Sequence, residues 1–253
     1  MRTAVISGGN GGLGRALATR LEADGWHCVL MDLTIAGIAP SPSRTPIEVD
    51  LTDHAALERA AAQAIAARPS IDLVIYNAGV SQIRPFTEAD EASHRRLFEI
   101  NYFSAVNLAR AFLPSIRASR GTHLAISSVA GFAPLVNRTA YAASKHALEG
   151  FFSSLRSEEQ PFGVRTLIAA PSFVATNIGN PQSGDDGIMR PGAAADGLDY
   201  MTPDAAAAAI LKGVARNRDF IPVGRVARLS HWLMRLSPGL YQRMMQRNIR
   251  GKG

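Results

Sequence analysis

The sequence predicts an α/β fold: one Rossmann-type, doubly wound domain spanning residues 1–253, with a mostly parallel seven-stranded sheet and helices on both faces. Three observations lead there. Short apolar runs alternate with helix-forming stretches from Thr3 to Val223, the pattern of strands joined by right-handed helical crossovers. A turn with five glycines in the seven positions Gly8 to Gly14 separates the first run from the first helix. The length of 253 residues, 47% hydrophobic and 19% charged, suits a single large domain with a substantial core. Gly and Pro together make 36 residues and no tract repeats, which excludes disordered, collagen-like and solenoid chains.

Each element follows from local pattern. Thr3 to Ser7 is apolar and partly β-branched, and Arg15 to Ala23 is helix-forming. A second strand spans His27 to Asp32. After the Pro/Ser-rich loop Ala39 to Pro46 come a short strand, Ile47 to Asp50, and an Ala-rich helix, His54 to Ala67. Ile71 to Tyr76 reads as a buried strand running into Asn77-Ala78-Gly79. One long helix is expected over Ala92 to Arg117, then the strand Thr122 to Ser127, a helix from Tyr141 to Glu159 and the strand Val164 to Ala170. Asn177 to Met201 loses all periodicity to Gly, Pro, Asp, Asn and Ser. Such loops inside compact domains are lids or binding loops, so 177–202 is assigned to a substrate lid. A helix, Pro203 to Arg216, and a strand, Phe220 to Val223, close the sheet. In the tail, 224–253, Leu229, Leu233, Leu236, Leu240, Met244 and Met245 recur near helical spacing, broken at Ser237-Pro238-Gly239.

The formal charge of +6 is unevenly placed. Residues 212–253 hold ten Lys or Arg and one acid, Asp219, for +9, leaving −3 for the first 211. Arg outnumbers Lys by 24 to 3. No basic stripe interleaved with aromatics, zinc-finger or RNP pattern occurs in the body of the chain, so nucleic acid is not an expected partner. The single cysteine, Cys28, reads as a small buried apolar residue in a reducing compartment. No apolar run approaches the ~18 residues of a membrane span. A strand so close to Met1 leaves no expectation of a signal peptide, and cytoplasm is the expected location.

Gly8, Gly12 and Gly14 fit GxxxGxG, while Gly9, Gly11 and Gly14 fit GxGxxG, both between a strand and a helix. A backbone must turn tightly there to approach a pyrophosphate seated at a helix N-terminus. Asp32 ends the second strand 18 residues beyond Gly14. A carboxylate there accepts hydrogen bonds from adenosine ribose hydroxyls and repels a 2′-phosphate, favouring NAD over NADP; the alternative is a turn cap. Tyr141 and Lys145 lie four apart on one helical face. A neighbouring ammonium and a cationic nicotinamide would lower the phenol's pKa from ~10 and make it a usable acid or base. Ser127 and Ser128 end a strand 13 residues before Tyr141, where a hydroxyl can hold a substrate carbonyl beside the phenol. No GxSxG or GxxxxGK[ST] occurs and the six His are scattered, so hydrolase, triphosphatase and metal chemistry are not expected.

In these motifs, over Thr3 to Thr176, the chain resembles the short-chain dehydrogenase/reductase (SDR) family of Rossmann-fold oxidoreductases. The resemblance implies that Ser128 orients the substrate oxygen, Tyr141 exchanges its proton, Lys145 binds the nicotinamide ribose and Asn101 holds a water in a proton relay. It also implies a cofactor site made by Gly8, Asn10, Gly12, Leu13, Gly14, Asp32, Asp50, Leu51, Asn77, Ala78, Gly79, Pro171, Val174 and Thr176, with Tyr141 and Lys145. Departures are Pro171-Ser172 where the family usually has Pro-Gly, Tyr76 where a second Asn is common, and Ser7 in place of Thr.

The expected function is therefore an NAD-dependent transfer of hydride between nicotinamide and a secondary alcohol or ketone. The alternatives are a catalytically silent NAD(P)-sensing protein and a membrane-associated binding protein. The Met/Leu/Trp stripe of the tail, with Arg and almost no acid, can lie on an anionic membrane surface, fold over the substrate pocket or pair with another subunit. All three favour an apolar substrate such as a lipid, steroid or aromatic compound. The resemblance implies a homodimer or homotetramer, packed through the helices that hold Asn101 and Tyr141.

Overall fold

Why the central strands are buried at almost every position becomes clear from the sheet they form. In the computed structural model, which describes residues 1–176, 186–190, 192 and 199–250, with side chains as far as 246, seven strands pair in parallel. They are β1 (Thr3–Ser7), β2 (His27–Asp32), β3 (Arg44–Glu48), β4 (Leu73–Tyr76), β6 (Thr122–Ile126), β7 (Arg165–Pro171) and β9 (Phe220–Val223). Two further short strands, β5 (Ser81–Gln82) and β8 (Ile188–Met189), form a separate antiparallel ribbon. The sheet order is β3-β2-β1-β4-β6-β7-β9, so the winding reverses between β1 and β4. That reversal opens a crevice at the carboxyl ends of these strands.

Helices cover both faces. On one, α2 (His54–Ala67), α4 (Ser104–Ser119) and α5 (Thr139–Glu159) pack over Val5, Val74, Ala125 and Ile168. On the other, α1 (Gly12–Ala23) and α6 (Pro203–Ala215) pack over Ile6, Ile75, Leu124 and Leu167. Successive residues of one strand thus enter opposite cores, as the two-residue period of a strand demands. Arg20 of α1 and Asp204 of α6 tie the second layer together at 2.7 Å. Cys28 is fully buried in it, and burial pushes its thiol up to about 12, which keeps it protonated.

The structure differs from the sequence expectation at three places. The third strand begins at Arg44 and includes Pro46, which a sheet edge tolerates because one side of the strand needs no donor. The long helix over 92–117 is instead α3 (Glu91–Phe98), a π turn (Glu99–Phe103) and α4. The β5–β8 ribbon joins the end of β4 to the segment read as a lid; of that lid, 177–185, 191 and 193–198 lie outside the described residues. The tail, as the break at Ser237-Pro238-Gly239 implies, forms two helices, α7 (Arg225–Leu236) and α8 (Pro238–Arg250), meeting at Ser237; residues 251–253 also lie outside the described residues. Among the described residues no helix is long and apolar enough to cross a membrane.

Candidate active site

At the switch point the chain leaves β1 through a glycine turn that has no room for a Cβ at Gly8, Gly9 or Gly14. Gly8 has φ +64°, and a Cβ there would meet Ala78 Cα at 2.9 Å. A Cβ on Gly14 would lie 2.2 Å from the Gly8 carbonyl oxygen, so α1 can approach the turn only with glycine at that place. The turn is tied to the end of β4. Asn77 Nδ2 donates to the carbonyls of Ser7 and Gly8 at 3.1 and 2.9 Å, and the backbone N–H groups of Asn77 and Ala78 donate to Ser7 Oγ at 3.0 and 3.1 Å. The serine at position 7 thus retains the hydroxyl that this staple needs. No side chain caps α1, leaving its N-terminus open to an anion.

Asp32, at the end of β2, accepts the Asn10 N–H at 2.8 Å. Asn10 turns away from the cleft: its Nδ2 donates to the Thr34 carbonyl at 2.8 Å and its Oδ1 accepts from Arg15 Nε at 2.9 Å. Asn10 therefore supports the loop after β2 and the position of Asp32. Gly14 likewise acts by allowing close packing. Gly8, Gly12, Leu13, Asp32, Asp50, Leu51, Asn77, Ala78, Gly79, Pro171, Val174 and Thr176 all line one cleft of about 1910 Å³, together with Ser128, Tyr141 and Lys145.

The cleft continues to the group on α5. Ser128 follows β6 and lines the cleft together with Tyr141, its Oγ accepting the Ala130 N–H at 3.2 Å. Ser127 turns the other way and donates to Glu149 Oε1 at 2.6 Å, which separates the roles of two neighbouring serines. Burial raises the Tyr141 phenol above its usual value, opposed by the Ser128 hydrogen bond and the charge of Arg138. Lys145 Nζ donates to the Ile126 carbonyl at 2.9 Å. Burial lowers the Lys145 ammonium to about 8, against the charge of Glu149.

Asn101 is buried behind Gly79 rather than on the cleft wall. Its Oδ1 accepts the Val80 N–H at 2.8 Å, and its Nδ2 donates to the Val80 carbonyl at 3.0 Å and to Ser144 Oγ at 2.9 Å. The side chain is thereby committed to holding the segment after β4 against α5. It stands in the π turn, whose wider ladder interrupts the regular i→i+4 pattern, a device frequent at functional sites.

Several contributors escaped the sequence reading. Glu149 lies four residues after Lys145 and eight after Tyr141, a helical spacing that could have revealed it. Ser144 could not be read as a partner of Asn101 across 43 residues. Val226, Leu229, Tyr241, Met244 and Met245 bring the tail to the cleft, so the tail does fold over the pocket.

A nicotinamide dinucleotide suits these residues. The glycine turn and open helix end would receive the pyrophosphate, and Asp32 the adenosine ribose. Ser172 Oγ is buried without a hydrogen-bond partner beside Pro171, a free group where the sequence departs from Pro-Gly.

A family model described as short chain dehydrogenase matches residues 2–186. Dehydrogenase/reductase SDR family member 7B of Xenopus laevis is 32% identical over 261 residues, covering 95% of this chain and 80% of that protein. The Mus musculus protein of the same name is 31% identical over 265 residues, covering 97% and 80%. Among solved structures, a short-chain dehydrogenase from Streptomyces avermitilis superposes with a TM-score of 0.82 at 26% identity, covering 100% of this chain and 98% of the other. One from Burkholderia cenocepacia, in complex with NADP, gives 0.84 at 23% identity, covering 97% and 99%; at that identity the likeness is one of fold.

Proposed function

The chain belongs to the short-chain dehydrogenase/reductase family, and from that premise we propose that it is an NAD-dependent oxidoreductase acting on an apolar secondary alcohol or ketone. The observation that carries this reading is that Ser128, Tyr141 and Lys145 meet on one wall of a cleft whose other end is the glycine turn and Asp32. The bound dinucleotide supplies or accepts the hydride.

The chain's own residues supply the rest. Ser128, on the same cleft wall as the phenol, holds the substrate oxygen against Tyr141. The buried phenol keeps its proton at neutral pH and donates it to a forming alkoxide. Positive charge entering the site favours the phenolate, which then takes the proton of an alcohol. Lys145, anchored on the Ile126 carbonyl, is placed to bind ribose hydroxyls. Asp32 supports NAD over NADP, because its carboxylate accepts ribose hydrogen bonds and repels a phosphate. Leu135, Phe173, Tyr241 and Met245 in the cleft wall support an apolar substrate. The same reading includes a homodimer or homotetramer packed through α4 and α5, working in the cytoplasm.

The test follows reduced nicotinamide absorbance with a panel of apolar ketones and alcohols, with NAD binding measured separately. Tyr141→Phe should lower turnover by on the order of 10³-fold while NAD binding is retained. Undiminished turnover in that variant would overturn the role of Tyr141, and NAD binding without turnover of any compound would overturn the enzymatic reading in favour of a sensing protein.

A further inference from the structure

The outer face of the tail is apolar where a soluble surface is ordinarily polar. On α7, Leu229, Trp232 and Leu236 are 67%, 64% and 77% exposed, and on α8 Leu240 and Met244 are 47% and 46% exposed. Their spacing of three and four residues puts the α7 group on one stripe. Arg225, Arg228, Arg235 and Arg243 are exposed on the same two helices, and the sequence has no acid after Asp219. The opposite face is spent on the fold: Ala227 and Tyr241 pack with Val129 and Ala133. Leu229 and Met244 belong to both surfaces, since they line the cleft as well. The exposed stripe is therefore continuous with the mouth of the pocket.

We propose that the exposed face of α7 and α8 docks on an anionic lipid bilayer and opens the pocket mouth to lipophilic substrate held there. Charge selects this occupant. A symmetric contact between two copies of the face would set Arg against Arg with no acid on the tail to neutralise it. A bilayer of anionic lipid instead offers headgroup charge to the arginines and an acyl boundary to Leu and Trp, with the indole N–H at the wet edge. Docking stands on the tail alone, whereas substrate delivery rests on the oxidoreductase reading.

The test uses the full chain with two sets of vesicles, phosphatidylcholine alone and equimolar phosphatidylcholine and phosphatidylglycerol. Co-sedimentation should be strong on the anionic vesicles and at least about tenfold weaker on the neutral ones or in high salt. The paired change Trp232→Gln and Leu236→Gln, at positions that do not line the cleft, should reduce binding by at least about tenfold with unchanged circular dichroism; Arg225→Gln with Arg235→Gln should do the same. Turnover of a long-chain 2-alkanone carried in anionic vesicles should fall in these variants, while turnover of water-soluble 2-butanone stays at the wild-type level. Equal binding to both vesicle types, no binding to either, or a wild-type dimer that the Trp232 and Leu236 changes dissolve would each overturn docking. Vesicle binding with equal losses on both ketones would overturn delivery. Absence of turnover on either ketone in the wild type would overturn the oxidoreductase reading, and with it delivery, while sedimentation still decides docking.

Discussion

Replacing Glu149 by Gln should change the stability of the protein in a way that depends on pH. The carboxyl lies on α5, one turn beyond Lys145, and accepts the Ser127 hydroxyl at 2.6 Å. Burial pushes it up to about 7 from an ordinary 4.5, the Ser127 hydrogen bond and the Lys145 charge opposing. Native protein then keeps a proton that the unfolded chain has released, so stability present below pH 4.5 is lost as the pH rises through 7. At ~1.4 kcal/mol per pH unit the whole loss comes to about 3 kcal/mol. Lys145 works in the opposite sense: burial lowers it to about 8 from 10.5, so stability present above 10.5 is lost as the pH falls through 8. Gln keeps an oxygen for Ser127 and removes the titration. Urea unfolding of both proteins, followed by circular dichroism from about pH 5 to about pH 8, should show the difference in unfolding free energy moving in favour of the variant by up to about 3 kcal/mol. Lys145 meanwhile loses the charge that raised it, so its deprotonation moves below 8 in the variant. A difference that stays constant across that range would refute the reasoning, since it would mean that Glu149 titrates at the same pH in the folded and unfolded chains.

Three other substitutions probe different parts of the argument. Asp32→Ala should weaken NAD binding by about tenfold, from the loss of charge-assisted hydrogen bonds, and narrow the gap between NAD and NADP in equilibrium titrations. Gly14→Ala places a methyl 2.2 Å from the Gly8 carbonyl oxygen; because both partners are backbone, stability should fall by about 1–3 kcal/mol and NAD binding with it, as thermal unfolding and titration would show. Arg117→Met leaves Glu159, whose side chain is 1% exposed, buried without its bidentate partner and should clearly lower the urea midpoint. Breaking the exposed pair of Arg20 with Asp204 should change stability far less in the same assay, because solvent screens it.

What the sequence disclosed was whatever depends on neighbours along the chain. Thr3 to Ser7 followed by Gly8 to Gly14 has one economical folding, a buried strand entering a turn too crowded for a Cβ at Gly8, Gly9 and Gly14, and Tyr141 with Lys145 shares a face by helical period alone. The strand β3 was displaced because Pro46 reads locally as a breaker, and only its place at the sheet edge removes the need for its N–H. Glu99 to Phe103 continues an apolar helical pattern without interruption, so nothing local announces a π turn; it accompanies the pairing of Asn101 with Val80 and Ser144, distant in sequence. Lys145 shows the limit in energetic form. Spacing places its ammonium on the face that holds the phenol, whereas its bond to the Ile126 carbonyl and the burial that shifts both groups come from packing. The distinction between Ser127 and Ser128 has the same origin. Adjacent residues leaving a strand point to opposite sides, and only the position of α5 decides that the Ser127 hydroxyl meets Glu149 while Ser128 shares the cleft wall with the phenol. Local pattern therefore selects which residues can do the chemistry, and long-range packing assigns each its protonation and its partner.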